Sequence, residues 1–361
     1  MNRIYNFAAG PATMPEAVLE RAKNEMLCHG TDGMSVMEMS HRSKMYLAIY
    51  DKAVALLKEL MEIPDNYKIL FLQGGASTQF ASIPLNLMTV NNKADYIDSG
   101  NFAAKAISEA KRYGKVNVVG STKDIAYARI PVIDESKFDP DADYLHFTTN
   151  NTIFGTHFNQ VPKTKAPLVT DMSSSILSRR YNVNDYALIY AGAQKNLGPA
   201  GLTVVIIRDD MLERTPMEFT PTMLKYKTMA DNDSMYNTPP TYGIYIAMLV
   251  FEWIKELGGV DAIEKLNNEK AALLYDYLDS QSYYTAPVEK DSRSMMNVTF
   301  VTGDQDLDKK FVSEAAKAGI VNIAGHRIVG GMRASIYNAM PKAGVEALVS
   351  FMDDFAKKNP K

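Results

Sequence analysis

Lys195 stands in Ala191-Gly192-Ala193-Gln194-Lys195-Asn196-Leu197-Gly198-Pro199-Ala200-Gly201, a loop of small residues that directly follows an apolar run. An ammonium group gives up its proton when it is desolvated, and the free amine attacks an aldehyde such as that of pyridoxal phosphate. A lysine so placed can form a Schiff base. The plain alternative is a solvated surface lysine, and the choice between the two turns on the other groups the chain offers.

Asp171 lies in Leu168-Val169-Thr170-Asp171-Met172-Ser173-Ser174-Ser175, at the end of a β-prone run. A carboxylate buried there needs a partner, and a protonated pyridine nitrogen would serve, keeping a cofactor ring able to accept electrons; a helix N-cap is the other reading. Gly74-Gly75-Ala76-Ser77-Thr78 opens a helical pattern and would aim free backbone N–H groups at a phosphate, unless it is only a capped tight turn. His41-Arg42 and His326-Arg327 are two of five histidines, each followed by arginine, and such pairs suit a phosphate dianion. Either pair alone also reads as an exposed helix or loop end. Arg333, at the start of a predicted strand, is a natural carboxylate clamp or an ion-pair partner. His29, His146 and His157 show no metal-ligand spacing.

Short apolar, β-prone runs at 69–72, 96–97, 116–119, 144–147, 168–169, 187–190 and 204–207 alternate with helical patterns. That rhythm predicts an α/β fold with a mostly parallel sheet flanked by helices. Ligands collect beyond the carboxyl ends of such strands, and Gly74, the 148–152 segment, Asp171 and Lys195 each fall just after one. Amphipathic spacing predicts helices over 41–61, 241–257 and 260–278. An early helix is expected around Cys28. Residues 297–301 and 333–337 read as strands, and 307–318 and 344–356 as helices, giving a smaller α+β C-terminal domain. The expected division is a large domain over 15–258, with 1–14 and 259–361 forming the small one.

The chain has 361 residues, 46% of them apolar, which is enough for two domains of ordinary size. Its net charge of −3 and scattered basic residues give no footprint for nucleic acid or an anionic membrane, so any anion site must be local. One cysteine excludes an intramolecular disulfide framework and fits a reducing compartment. No apolar run approaches a membrane span, and the first ten residues lack a signal-peptide core, so a cytoplasmic protein is expected.

The segments at 6–15 (NFAAGPATMP), 39–42, 74–80, 171–179 (DMSSSILSR), 191–201, 236–242 (YNTPPTY) and 325–338 (GHRIVGGMRASIYN) together resemble the phosphoserine aminotransferase family over essentially the whole chain. These are class-V, fold type I enzymes of the aspartate-aminotransferase fold that use pyridoxal 5'-phosphate. The resemblance implies that Lys195 is the Schiff-base lysine and proton shuttle, and that Asp171 pairs with the pyridinium nitrogen. It implies cofactor contacts from Gly75, Ala76, Ser77, Thr152 and Gln194, with Phe102 stacked on the ring. Asn237 and Thr238 would reach the cofactor phosphate of a neighbouring subunit, making a homodimer the active unit. Arg333 would bind the substrate α-carboxylate, and His41, Arg42, His326 and Arg327 its phosphate, the first pair across the interface. The implied reaction moves an amino group from glutamate to 3-phosphohydroxypyruvate in serine biosynthesis; a phosphohydroxythreonine-type substrate of vitamin B6 (pyridoxine) biosynthesis satisfies the same groups. No metal, nucleic acid or membrane partner is implied.

Two positions depart from patterns in that family. Phe102 stands where tryptophan commonly stacks, and so lacks an indole N–H; Ser77 stands where some members carry arginine. Rival readings are a cysteine desulfurase, an alanine–glyoxylate type aminotransferase, or a cofactor-binding protein without catalysis. Cys28 is a poor sulfur carrier, an alanine-type enzyme would not need four phosphate-directed side chains, and no basic arm supports a regulator.

Overall fold

A computed structural model describes residues 3–361; Met1 and Asn2 of the expected 1–14 segment lie outside the described residues. The strands in chain order are β1 (Tyr5–Asn6), β2 (Tyr67–Leu72), β3 (Lys93–Asp98), β4 (Lys115–Ser121), β5 (Leu145–Thr148), β6 (Asn150–Asn151), β7 (Thr156–His157), β8 (Leu168–Asp171), β9 (Leu188–Gly192), β10 (Thr203–Arg208), β11 (Asn297–Phe300), β12 (Ile320–Val321) and β13 (Met332–Ser335). The helices are α1 (Glu16–Asn24), α2 (Lys44–Leu60), α3 (Gly75–Leu87), α4 (Asn101–Ala110), α5 (Asp209–Leu212), α6 (Tyr226–Ala230), α7 (Thr241–Glu256), α8 (Gly259–Ser280), α9 (Gln305–Lys317) and α10 (Lys342–Lys358).

All seven β-prone runs of the first part of the chain enter one sheet, ordered β2-β10-β9-β8-β5-β3-β4. The pairs from β9 through β4 are parallel, and only β10 runs against its neighbours. The inner strands β5, β8, β9 and β10 read as continuous apolar runs because both faces are covered, whereas the edge strand β4 is largely exposed. On β10, Val204 and Ile206 join the cluster under α2 and α7, while Val205 and Ile207 join the one under α3 and α4. Helix α2 follows from its spacing: Tyr46, Ile49, Tyr50, Ala53, Leu56, Leu57 and Leu60 form its buried stripe. Its start lies later than the sequence pattern suggests. The Ser43 hydroxyl accepts from the Tyr46 N–H and caps the helix, so His41 and Arg42 fall in the preceding turn. The early helix, α1, ends at Asn24, leaving Cys28 exposed beyond it.

A third apolar cluster takes Phe7 and residues between Ala271 and Phe355, gathered around the antiparallel pair β11-β13 with α8, α9 and α10. Helix α8 straddles the lobes, with Val260 and Ile263 in the cluster of α2 and α7, and Ala271, Leu274 and Leu278 in the third. A continuous helix thus carries the chain from one core to the other.

Strand β13 stops at Ser335, two residues short of the expected end, and the next segment turns around a buried lysine whose pKa burial lowers to about 7. Lys270 on α8 donates to the carbonyls of Ile336, Tyr337, Asn338 and Met340 at 3.2, 2.7, 3.2 and 3.1 Å. A lysine is rarely buried without partners, and here four carbonyl dipoles replace water. The turn so held reaches into the large lobe: the Asn338 N–H donates to Asn196 Oδ1 at 3.1 Å, next to Lys195. Replacing Lys270 by Met leaves those carbonyls unsatisfied and should lower unfolding free energy by about 2–4 kcal/mol, read from the denaturant midpoint. A variant within about 0.5 kcal/mol of the parent would show that the turn holds itself.

Candidate active site

The carboxyl ends of β5, β8 and β9 lie side by side, with Thr148, Asp171 and Tyr190 in register across them. Beyond these ends lies a cavity of about 370 Å³, closed on one side by the start of α3. Gly74 precedes that helix with φ of 92°, a left-handed conformation, and a Cβ there would lie 2.1 Å from Thr78 Oγ1. No side chain caps the helix, so the first-turn N–H groups of Gly75, Ala76 and Ser77 border the cavity with the positive end of the helix dipole.

Lys195 follows β9 on a loop held by its neighbour. Asn196 Nδ2 donates to the Ile176 carbonyl at 3.0 Å, while its Oδ1 takes the Asn338 N–H. The lysine Nζ donates to Thr152 Oγ1 at 3.1 Å and lies 5.5 Å from the centre of the Phe102 ring. Burial lowers the amine from 10.5 to about 8, opposed by the Asp171 charge and reinforced by Arg333.

Asp171 ends β8, and no helix follows, which excludes the N-cap reading. Its Oδ1 accepts the Ser173 N–H at 2.8 Å in a local turn. Burial raises its pKa, and Lys195, Ser173 and the Tyr190 hydroxyl act in the opposite direction. Arg333, on β13, is buried and donates through Nη1 to the Thr152 carbonyl at 3.3 Å, while its Nε has no partner. Thr148 Oγ1, also at the cavity, is likewise unpartnered. Native interiors rarely leave such atoms unpaired, and these two belong to residues that line the cavity, where a ligand's polar groups would pair them.

The cavity gathers Gly75, Ala76, Ser77, Phe102, Thr152, Asp171, Gln194, Lys195, His326 and Arg333. Five other expected residues lie apart from it. Asn237 borders a second cavity, on the other side of Gly74 and Thr78, and the Thr238 carbonyl accepts from Gln73 Nε2 at 3.3 Å. His41 is half-buried with an unpaired Nε2, and Arg42 is exposed. Arg327 is exposed in an outer depression beside Ile328 and Val329, yet its charge acts on His326, whose pKa falls through burial and then through Arg333, Arg327 and Lys105. Sequence reasoning pointed to the 148–152 segment without singling out Asn150, which lines the cavity; it missed Ala9 and Gly10, which also line it, and Lys105, whose Nζ lies 5.6 Å from the centre of the Phe102 ring. Lys105 sits three residues after Phe102 on α4, a helical spacing that could have drawn attention to it. Among the described residues no group of three or more His, Cys, Asp or Glu is placed to hold a metal, and no helix is long and apolar enough to cross a membrane.

A buried amine, a buried carboxylate, a flat apolar ring and an uncapped helix N-terminus around one cavity fit pyridoxal phosphate, part for part: aldehyde, ring nitrogen, ring face and phosphate. The fold and this donor set define a pyridoxal-phosphate-dependent aminotransferase, and the chain belongs to the class-V aminotransferase family, whose model matches residues 4–348. It is 55% identical over 363 residues to the phosphoserine aminotransferase of Streptococcus suis (strain 05ZYH33), covering 99% of each chain. Among solved structures it is similar to phosphoserine aminotransferase from Bacillus circulans subsp. alkalophilus, with 47% identity, TM-score 0.95 and 99% of each chain covered. It is also similar to the pyridoxal-phosphate-bound phosphoserine aminotransferase of Trichomonas vaginalis, with 41% identity and TM-score 0.94 over 97% of this chain and all of that one, a full 100%.

The lowered Lys195 pKa has a measurable consequence. In cofactor-free protein the fraction of free amine, and with it the rate of pyridoxal phosphate capture followed by visible absorbance, should rise roughly tenfold per pH unit up to about 8 and then level. The unfolded chain keeps that proton up to 10.5, so between about 8 and 10.5 it binds more protons than the native state, and stability rises with pH across that window. A capture rate still climbing tenfold per unit above pH 9 would show a solvated lysine.

Proposed function

We propose that this chain reversibly transfers the amino group of glutamate to 3-phosphohydroxypyruvate, giving O-phosphoserine and 2-oxoglutarate in serine biosynthesis. The observation that carries the reading is one cavity holding a buried amine, a buried carboxylate and an arginine with an unpaired Nε, in a chain 55% identical to a phosphoserine aminotransferase over its length. Bound pyridoxal phosphate supplies an electron sink that lets the substrate Cα–H bond break. Asp171 holds a proton at the ring nitrogen, and Phe102 covers one ring face. Gly75, Ala76, Ser77, Thr152 and Gln194 hold the remaining edges. Lys195, whose pKa of about 8 leaves a usable fraction of free amine at physiological pH, would carry a proton between the substrate Cα and the cofactor C4′.

Both keto-acid substrates have two anionic ends, which matches one buried guanidinium plus a separate cationic group. Arg333 takes the α-carboxylate in a forked pair through its free Nε side. His326 and Arg327 take the phosphate together with His41 and Arg42 of the partner subunit, while Asn237 and Thr238 of the partner subunit reach the cofactor phosphate. Support for this sharing comes from the outlying positions of these four residues in their own protomer. A phosphohydroxythreonine-type substrate of vitamin B6 synthesis presents the same two charges. The chain works as a homodimer in the cytoplasm, and it divides into a large lobe over 15–258 and a small one over 1–14 with 259–361, a division that the separate apolar cluster around Phe7 and Phe355 supports.

Purified holoenzyme should lose its visible cofactor band on addition of glutamate and regain it with 3-phosphohydroxypyruvate, and Lys195→Ala should abolish the cycle; an unchanged parent spectrum overturns the aminotransferase reading. Mixing inactive Lys195→Ala and Arg42→Ala chains, then refolding, should restore about a quarter of parental activity, since half of the dimers regain one of two sites. No recovery would mean that Arg42 serves its own protomer.

A further inference from the structure

Behind Asp171 the sheet carries buried polar side chains that the reaction above does not use. Asp171 on β8 and Tyr190 on β9 are register partners, so their side chains leave the same face, which also holds His146, two residues before Thr148 on β5. The Tyr190 hydroxyl lies 2.9 Å from His146 Nε2, and its register places it beside Asp171, close enough to hold the carboxyl pKa down although no hydrogen bond within 3.5 Å joins the two. All three residues are buried. The His146 ring is stacked on Tyr96, with centroids 4.8 Å apart and planes 25° from parallel, and its Nδ1 has no partner.

Proton inventory decides how these groups connect. Burial takes His146 down to about 3, so its imidazole is neutral and carries a single N–H. Tyr190 has one O–H, which burial and the Asp171 charge keep protonated. An ionised carboxylate only accepts. If the Tyr190 proton is directed at Asp171, the tyrosine oxygen must accept from His146 Nε2–H, and the unpartnered Nδ1 is then a bare lone pair. The reverse order would bury an unsatisfied Nδ1–H donor and turn a phenol lone pair toward a carboxylate, both of which cost free energy.

We propose that Tyr190 and His146 are positioning residues for Asp171, in a one-way chain from His146 Nε2–H to the Tyr190 oxygen and from Tyr190 O–H to the carboxylate, which keeps Asp171 ionised beneath the cofactor ring. The proposal rests on the reading of Asp171 as the ring-nitrogen partner. Because His146 cannot be protonated in the working range, the chain supplies hydrogen bonds but no proton that could neutralise Asp171.

The test reads the tautomer directly. Long-range proton–nitrogen spectra of protein labelled with ¹⁵N-histidine should show His146 with Nε2 protonated and Nδ1 bare, cofactor-free and loaded alike, from about pH 6 to about pH 9. A proton on Nδ1, or a titration near the ordinary histidine value, overturns the proposal. Tyr190→Phe should weaken pyridoxamine phosphate binding about tenfold and lower kcat for both half-reactions about tenfold, with KM for each substrate within about twofold. Unchanged affinity and kcat would also overturn it. The unsubstituted protein decides the tautomer even if the variant fails to fold. Since the tautomer is read without cofactor, it can fail while the aminotransferase reading stands, and the reverse.

Discussion

The amine of Lys195 and the carboxylate of Asp171 share one water-poor cavity, and each makes the burial of the other tolerable. Burial pushes the amine down and the carboxyl up, toward the uncharged form of both, while their mutual attraction works against the two shifts. Neither effect cancels the other. The amine is left titrating at about 8, so that a fraction of it is free to attack and to return protons, and the carboxylate depends on further hydrogen bonds to stay charged. The surrounding structure can be understood as what it takes to hold this pair in place without water.

Holding it involves both lobes. Asn196 ties the lysine loop to the Ile176 carbonyl on one side and to Asn338 on the other, and Asn338 belongs to the turn gathered by Lys270. Arg333 reaches from the small lobe to the Thr152 carbonyl, and Thr152 Oγ1 accepts from Lys195. The reacting groups are therefore anchored to β13 and α8 as well as to the large sheet. Hydrogen bonds of this kind add little net stability each, but they fix direction, and a misplaced reacting atom costs rate steeply.

Much of the architecture was legible because its causes are local. The apolar runs of β9 and β10 announced strands covered on both faces, and the spacing from Tyr46 to Leu60 announced α2. Small departures also had local causes, such as the Ser43 cap that starts α2 after His41 and Arg42. Others did not: nothing near Ile336 and Tyr337 in sequence foretells that a lysine on α8 will end their strand. Lys105 escaped notice because a lysine is not unusual in its own segment.

The sequence by itself determined which reactive groups exist and that they follow strand ends, since residue type and apolar period survive without a partner in space. The tertiary structure decided which of them meet. It set Asp171 beside Tyr190 by register, placed Arg333 with a free Nε next to Thr152, and left His41, Arg42, Asn237 and Thr238 outside the cavity. The physical reason is desolvation: the shifts in Lys195 and Asp171 arise only when segments far apart in the chain exclude water together, and no short stretch of sequence carries that information.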